Sequence, residues 1–113
     1  MAIRSAIIVS TTFDVQGRRI REYKGVVRGL TVRAPTITQG ILGGLKSIIG
    51  GQIGAYTEMC EQARQTAYDL MIEHAQQLGA NAVIGVRYDA TEISAGITEV
   101  LCYGTAVYVE QQT

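Results

Sequence analysis

The sequence predicts an α+β domain in which helices cover one face of a mostly antiparallel sheet. Three observations support this prediction: segments with alternating apolar residues flank a central helical segment, a glycine follows that helix, and a turn separates the last two strands. The predicted order is strand, strand, two helices, strand and strand. We treat residues 1–113 as a single domain, because a chain of this length can bury its own core without cross-links.

The first part of the chain supplies two predicted strands. Residues 7–11 form the first, and Gly17 allows a turn after it. Residues 19–33 form a second, long strand, with mostly apolar side chains on one side and glycines on the other. A strand of this length at a sheet edge presents unpaired backbone groups and invites pairing with another chain. The strand itself therefore favours assembly.

The middle of the chain predicts two helices. A short helix at about 38–49 is expected to end at Gly50 and Gly51. A longer helix is predicted at 55–78, followed by Gly79, whose access to positive φ suits a helix C-terminus. The face expected to pack on the sheet consists of Tyr56, Cys60, Ala63, Ala67, Leu70, Met71, His74 and Leu78.

Two further strands complete the predicted sheet. Residues 82–91 form the third, with Ile84, Val86 and Tyr88 on one face. Residues 97–109 form the fourth, and the small residues on one of its faces would allow a helix to pack closely.

Composition and charge exclude several functions. Ten basic and ten acidic residues cancel, and 18% of the chain is charged, so it lacks the basic surface of a protein that binds nucleic acid or anionic membranes. No apolar run reaches the length of a membrane span or a signal-peptide core. The two cysteines lack metal-binding or redox spacing, as suits a reducing compartment. We therefore expect a cytoplasmic protein, and its few charges favour burial of surface between subunits.

Cys60, His74 and Cys102 are the candidate metal ligands, because thiolate and imidazole bind soft and borderline metal ions. Fourteen helical residues place Cys60 and His74 about 21 Å apart, which is too far to share an ion within one subunit. Cys102 could approach Cys60 across the helix–sheet contact. We interpret both cysteines as core residues. We interpret His74 as an imidazole bonded to a backbone carbonyl or lying at a subunit contact.

A glycine-rich segment before the long helix is the candidate ligand site. Backbone N–H groups and the helix dipole attract anions at such places. The segment lacks the sequences of phosphate-binding and dinucleotide-binding loops, and a connection between two helices would equally explain its glycines. The candidate ligand-binding residues are Lys46, Gly50, Gly51, Gln52, Gly54 and Tyr56.

No catalytic residues are assigned, because His74 has no orienting partner that would make it a general base. Arginines on the predicted strands could line a groove, but ion pairs at the surface explain them more simply. The arginines are Arg28, Arg33 and Arg87, and the expected carboxylate partners are Glu22, Asp89 and Glu92.

Three segments, 10–32, 48–59 and 78–89, resemble the YbjQ-like family of small bacterial and archaeal proteins. The matching residues are Thr11-Thr12, Glu22-Tyr23, Gly25-Val26-Val27, Gly50-Gly51, Tyr56 and Gly79-Ala80-Asn81-Ala82. The resemblance implies a dodecin-like subunit that assembles into a ring, usually a homopentamer. The family carries a heavy-metal-binding label and offers no catalytic residues to transfer.

We therefore expect a homo-oligomeric, non-enzymatic protein that serves as a scaffold or binds a small ligand or metal ion between subunits. The first alternative is a heavy-metal or soft-anion binding protein that uses Cys60, His74 or Cys102. The second is an enzyme acting at residues 50–54.

Overall fold

The polypeptide folds in the order β1, β2, α1, β3 and β4 in a computed structural model, which describes residues 6–33 and 51–112. The predicted short helix at 38–49 lies outside these ranges. The elements are β1 (Ile8–Val9), β2 (Arg18–Arg33), α1 (Gly51–Gln77), β3 (Ala82–Ser94) and β4 (Ile97–Gln111). The α+β prediction is confirmed.

The four strands of the described ranges form one mixed sheet in the order β1-β3-β4-β2. β1 pairs with β3 in parallel, whereas β3 with β4 and β4 with β2 are antiparallel. The 16-residue strand β2 therefore lies at the edge of this sheet, as its sequence predicts. Arg19 and Arg21 pair with Glu110 and join the start of β2 to the end of β4.

α1 begins at Gly51, four residues before the predicted start. Its C-terminus agrees with the sequence. Gly79 has φ +79°, its N–H donates to the Gln76 carbonyl at 3.0 Å, and the Ala80 N–H donates to the Ala75 carbonyl at 3.1 Å. These bonds satisfy carbonyls that a helix end leaves free.

α1 packs chiefly on β2 and β4 through a narrow stripe of buried residues, Ala63, Ala67, Met71 and Ala75. The predicted face was too wide, since Cys60 is exposed and Leu70 and Leu78 remain 40% and 39% exposed. The alanines let the helix approach so closely that a Cβ at Gly29 would lie 1.9 Å from the Ala67 carbonyl oxygen. Only the centre of the face can contact a flat sheet at that distance.

The strand β3 changes faces at a bulge. Gly85 has φ +63°, and the β3–β4 register shifts between Ile84 and Arg87. Val83 and Val86 consequently belong to the core under the helix, whereas Ile84 packs with Val107 on the opposite face. The prediction that Ile84, Val86 and Tyr88 share a face is wrong, because the extra residue reverses the alternation.

The face of the sheet opposite α1 is covered only in part. At one end Val15 and Ile20 pack against a second cluster around Val107 and Val109. Elsewhere this face of β2 exposes four large apolar side chains, Tyr23 (67%), Val26 (66%), Leu30 (45%) and Val32 (50%). Their strand partners are Val107, Thr105, Leu101 and Glu99. We call these four residues the open apolar row.

Candidate functional site

The glycine-rich candidate site can be located only in part. Lys46 and Gly50 lie outside the described residues, and Gly51 and Gln52 form the first residues of α1. Gly54 is exposed in the first turns of the helix, and Tyr56 is half-buried. The role of this segment in ligand binding therefore stays a prediction.

The three predicted metal ligands occupy different surroundings. Cys60 is exposed on α1, so its assignment to the core is wrong, whereas the burial of Cys102 is confirmed. His74 is half-buried on α1. Within residues 6–33 and 51–112, no group of three or more His, Cys, Asp or Glu side chains could hold a metal ion.

Cys102 lies in a buried pair of sulfur atoms. Its Sγ is 3.6 Å from the Sδ of Met71, which is also fully buried. Burial raises the pKa of the Cys102 thiol, and a hydrogen bond with Tyr88 opposes the shift in part. Burial and the neighbouring Cys102 likewise raise the pKa of Tyr88. This environment keeps the thiol protonated at neutral pH, as expected of a core cysteine.

His74 links the helix to the edge strand. The backbone N–H of Arg28 donates to His74 Nδ1 at 3.3 Å. The imidazole therefore accepts from β2 at this nitrogen, and the predicted bond to a backbone carbonyl or contact with another subunit stays a prediction. The Arg28–His74 bond holds α1 over the strand and gives His74 a structural role in the subunit.

Asn81 has a role that sequence reasoning missed. Its side-chain N–H donates to the Val109 carbonyl at 2.8 Å, and the Val109 N–H donates to Asn81 Oδ1 at 2.8 Å. Its backbone bonds Ile8 and Val107, both at 3.1 Å. The side chain and backbone of Asn81 together join the starts of β1 and β3 to the end of β4. The Gly-Ala-Asn-Ala motif marked this position, although spacing alone could not show the partner.

The expected ion pairs of the strand arginines do not form among the described residues. Glu22 accepts from Lys24 instead, at 3.0 Å. Arg87 donates to the carbonyls of Thr11 and Val86, and its guanidinium lies 5.5 Å from the centre of the Phe13 ring. Arg33 has a buried Nε that finds no hydrogen-bond partner in the part of the chain that the structure describes.

No helix within the described ranges combines the length and apolar character required to cross a bilayer. Two features of the described residues can contact other molecules. One is the open apolar row on the edge strand β2. The other is the set of strand arginines without carboxylate partners, Arg28, Arg33 and Arg87.

Comparison with known proteins places the chain among small bacterial proteins. A family model described as "Putative heavy-metal-binding" matches residues 7–110. A UPF0145 protein of Legionella pneumophila strain Lens is 58% identical over 103 residues, which cover 91% of this chain and 98% of the relative. A UPF0145 protein of Paraburkholderia phymatum is 56% identical over 104 residues, covering 92% and 94%.

A crystal structure supports the fold. It is a Pediococcus pentosaceus protein of unknown function from the DUF74 family, with a TM-score of 0.60 and 18% sequence identity. The match covers 92% of this chain and 98% of that chain. At this identity the likeness concerns the fold alone.

Proposed function

This chain belongs to the YbjQ-like family, and we propose that it works as a homo-oligomeric binding or scaffold protein whose subunits meet along β2. The observation that carries the proposal is the open apolar row on a 16-residue edge strand. Exposed apolar side chains grouped on one strand mark interaction surfaces, and free strand edges pair with other chains. In this row the exposed Arg28 lies between Val26 and Leu30.

A closed ring would bury the β2 surface of every subunit and would limit the number of subunits in the assembly. A neighbour that contacts β2 with a different part of its own surface would leave its own β2 free for the next subunit. Head-to-tail contacts of this kind give closed rings when the rotation between subunits closes. The homopentamer and the dodecin-like subunit follow from the family resemblance. In this arrangement a small ligand or metal ion binds between subunits in the cytoplasm.

The test is native mass spectrometry of untagged protein purified without chelators, repeated after denaturation. The expected result is a ring mass, and any additional mass lost on denaturation reveals a bound ligand or metal ion. The variant Val26→Lys places a charge in the open apolar row and should shift the mass to monomer. Gln77→Lys is the matched control, because it adds the same charge at an exposed helix residue. A monomeric wild type would overturn the proposal.

Heavy-metal binding is the second candidate function. The family description and the buried Cys102–Met71 sulfur pair favour it. Metal binding would displace the proton that the buried Cys102 thiol keeps at neutral pH. The resulting thiolate and the Met71 thioether suit a soft ion with few sulfur ligands better than zinc, which takes four ligands in structural sites. Metal content measured after exposure to copper(I) should fall in Cys102→Ser and persist in Cys60→Ser. Equal metal content in both variants and the wild type would exclude Cys102.

A further inference from the structure

A small cleft of about 140 Å³ lies between α1 and the sheet, at the end of β2. Its apolar wall consists of Met59 and Ala63 from the helix and of Ala90 and Val100 from two neighbouring strands. Ala90 and Val100 are direct partners in the β3–β4 ladder, so the floor of the cleft is one row of the sheet. A cavity of roughly 150 Å³ can hold a benzene molecule. The apolar part of this cleft therefore suits a ligand of that size.

Two arginines from different elements line the same cleft. Arg33 is the last residue of β2 and pairs in register with Thr98 of β4, which also lines the cleft. Arg64 comes from α1, and its guanidinium lies 5.6 Å from the centre of the Tyr88 ring. This cation–π contact fixes the helix arginine beside the sheet. The strand end and the helix thus bring two positive charges to one opening.

No described carboxylate lies within ion-pair distance of either arginine. Glu92 occupies the same row as Arg33 and Thr98, but its carboxylate accepts the N–H of Gly96 at 3.1 Å. Among the described residues, the buried Arg33 Nε has no hydrogen-bond partner. Buried polar groups are nearly always hydrogen-bonded, so the Arg33 guanidinium has an unused donor beside the cleft.

We propose that this cleft binds a small organic anion whose carboxylate or phosphate group meets Arg33 and Arg64. Its apolar part, about as large as a benzene ring, would lie against Met59, Ala90 and Val100. Guanidinium groups bind both oxyanions through charge-assisted hydrogen bonds. This proposal deepens the proposed function, because it gives the chemical class of the small ligand that the protein would bind. It rests on contacts within one subunit, so it can be tested whether or not a ring forms.

Cys60 provides a reporter for this site, because its exposed thiol lines the cleft. The thiolate attacks one sulfur of dithiobis(nitrobenzoate), forms a mixed disulfide and displaces one thionitrobenzoate, whose absorbance gives the rate. Dithiodipyridine reacts in the same way without carrying a negative charge. The ratio of the two rates cancels the thiolate fraction of Cys60 and reports the local charge. Cys60→Ser gives the background rate.

The double variant Arg33→Gln, Arg64→Gln removes both charges, and Arg18→Gln removes an exposed arginine at the opposite end of β2 as the control. For charges roughly 7 Å apart in water, each arginine changes the rate about threefold, so the anionic-to-neutral ratio should fall about tenfold in the double variant. Arg18→Gln should keep the wild-type ratio. Circular dichroism and native mass establish that fold and assembly are unchanged.

Ligand binding is measured as protection of Cys60 by benzoate, phenyl phosphate, inorganic phosphate and benzamide. We expect benzoate or phenyl phosphate to protect Cys60 at a concentration at least tenfold lower than inorganic phosphate or benzamide requires. The better of the two identifies the anionic group. In Ala90→Leu, which fills the cleft and keeps both arginines, protection should disappear while the rate ratio persists. Equal protection by benzamide, equal protection by inorganic phosphate, or an unchanged ratio in the double variant would each overturn the proposal.

Discussion

Gly29→Ala is expected to lower the free energy of unfolding strongly, because the helix backbone occupies the place of the new Cβ. That Cβ would lie 1.9 Å from the Ala67 carbonyl oxygen, 2.5 Å from the Met71 nitrogen and 2.8 Å from Leu70 Cβ. Two of these atoms belong to the backbone of α1. A side chain could rotate away, but a helix backbone must move as a unit.

The magnitude follows from the displacement required. An ordinary carbon contact begins at about 3.4 Å, so α1 must move by about 1.5 Å from β2 at this point. Such a movement loosens the buried stripe of Ala63, Ala67, Met71 and Ala75 together. Overpacking a core costs about 1–3 kcal/mol when side chains can adjust. We expect a loss at the upper end, about 3 kcal/mol, because the colliding atoms are fixed.

The assay is urea and thermal unfolding at one protein concentration, since any assembly would make stability depend on concentration. About 3 kcal/mol corresponds to a fall of roughly 12 °C in melting temperature for a chain of this size. Gly54→Ala is the matched control: this exposed helical glycine has free space around the new methyl group, and alanine favours helix by about 1 kcal/mol. Gly29→Ala within about 0.5 kcal/mol of wild type would refute the reasoning.

Three further predictions concern single contacts. Asn81→Ala removes two hydrogen bonds to Val109 and should cost about 2 kcal/mol in thermal unfolding; a loss no greater than that of an exposed residue would contradict the paired role. His74→Ala should speed hydrogen exchange at the Arg28 amide and cost about 1 kcal/mol, whereas in His74→Asn, whose oxygen can replace Nδ1, wild-type exchange should largely return. Because burial raises the pKa of Cys102, the thiol's contribution is complete below about pH 8.5 and is lost as pH rises through the folded-state pKa. Urea unfolding from neutral to alkaline pH should show a shallower decline in Cys102→Ala, and identical slopes would contradict this.

Local signals in the sequence determine most of the described fold. Alternation over β2 and β4 predicts both long strands within two residues of their observed ends. Gly79 marks the end of α1 because a glycine with positive φ terminates the helical hydrogen-bond pattern. A β-bulge, in which one strand contains an additional residue, cannot be predicted from these local signals. The bulge at Gly85 reverses the faces of β3, and neither hydrophobicity nor spacing distinguishes a bulge from a regular strand.

The buried face of α1 shows a different limit of sequence analysis. Periodicity locates the centre of an apolar face but not the width that touches the sheet, which depends on how closely the two backbones approach. Here Ala67 lies opposite Gly29 and permits direct backbone contact, so the side chains of Cys60 and Leu70 lie outside the buried stripe. The assignment of Cys60 to the core failed for this reason. Cys60 is exposed because this close packing buries only the centre of the helix face.

That close approach also explains why the proposed anion cleft could not be predicted. Arg33 and Arg64 are 31 positions apart, and they meet only because α1 lies directly over β2 while the β2–β4 register ends at Arg33 and Thr98. The alanine stripe that brings the helix onto the strand leaves no bulky side chain to fill the space beyond Ala63. A larger residue at that position would close the cleft and push the helix outward. Ala63→Leu should therefore both lower stability and abolish anion protection of Cys60, whereas Ala90→Leu, at an exposed strand position, should abolish protection alone.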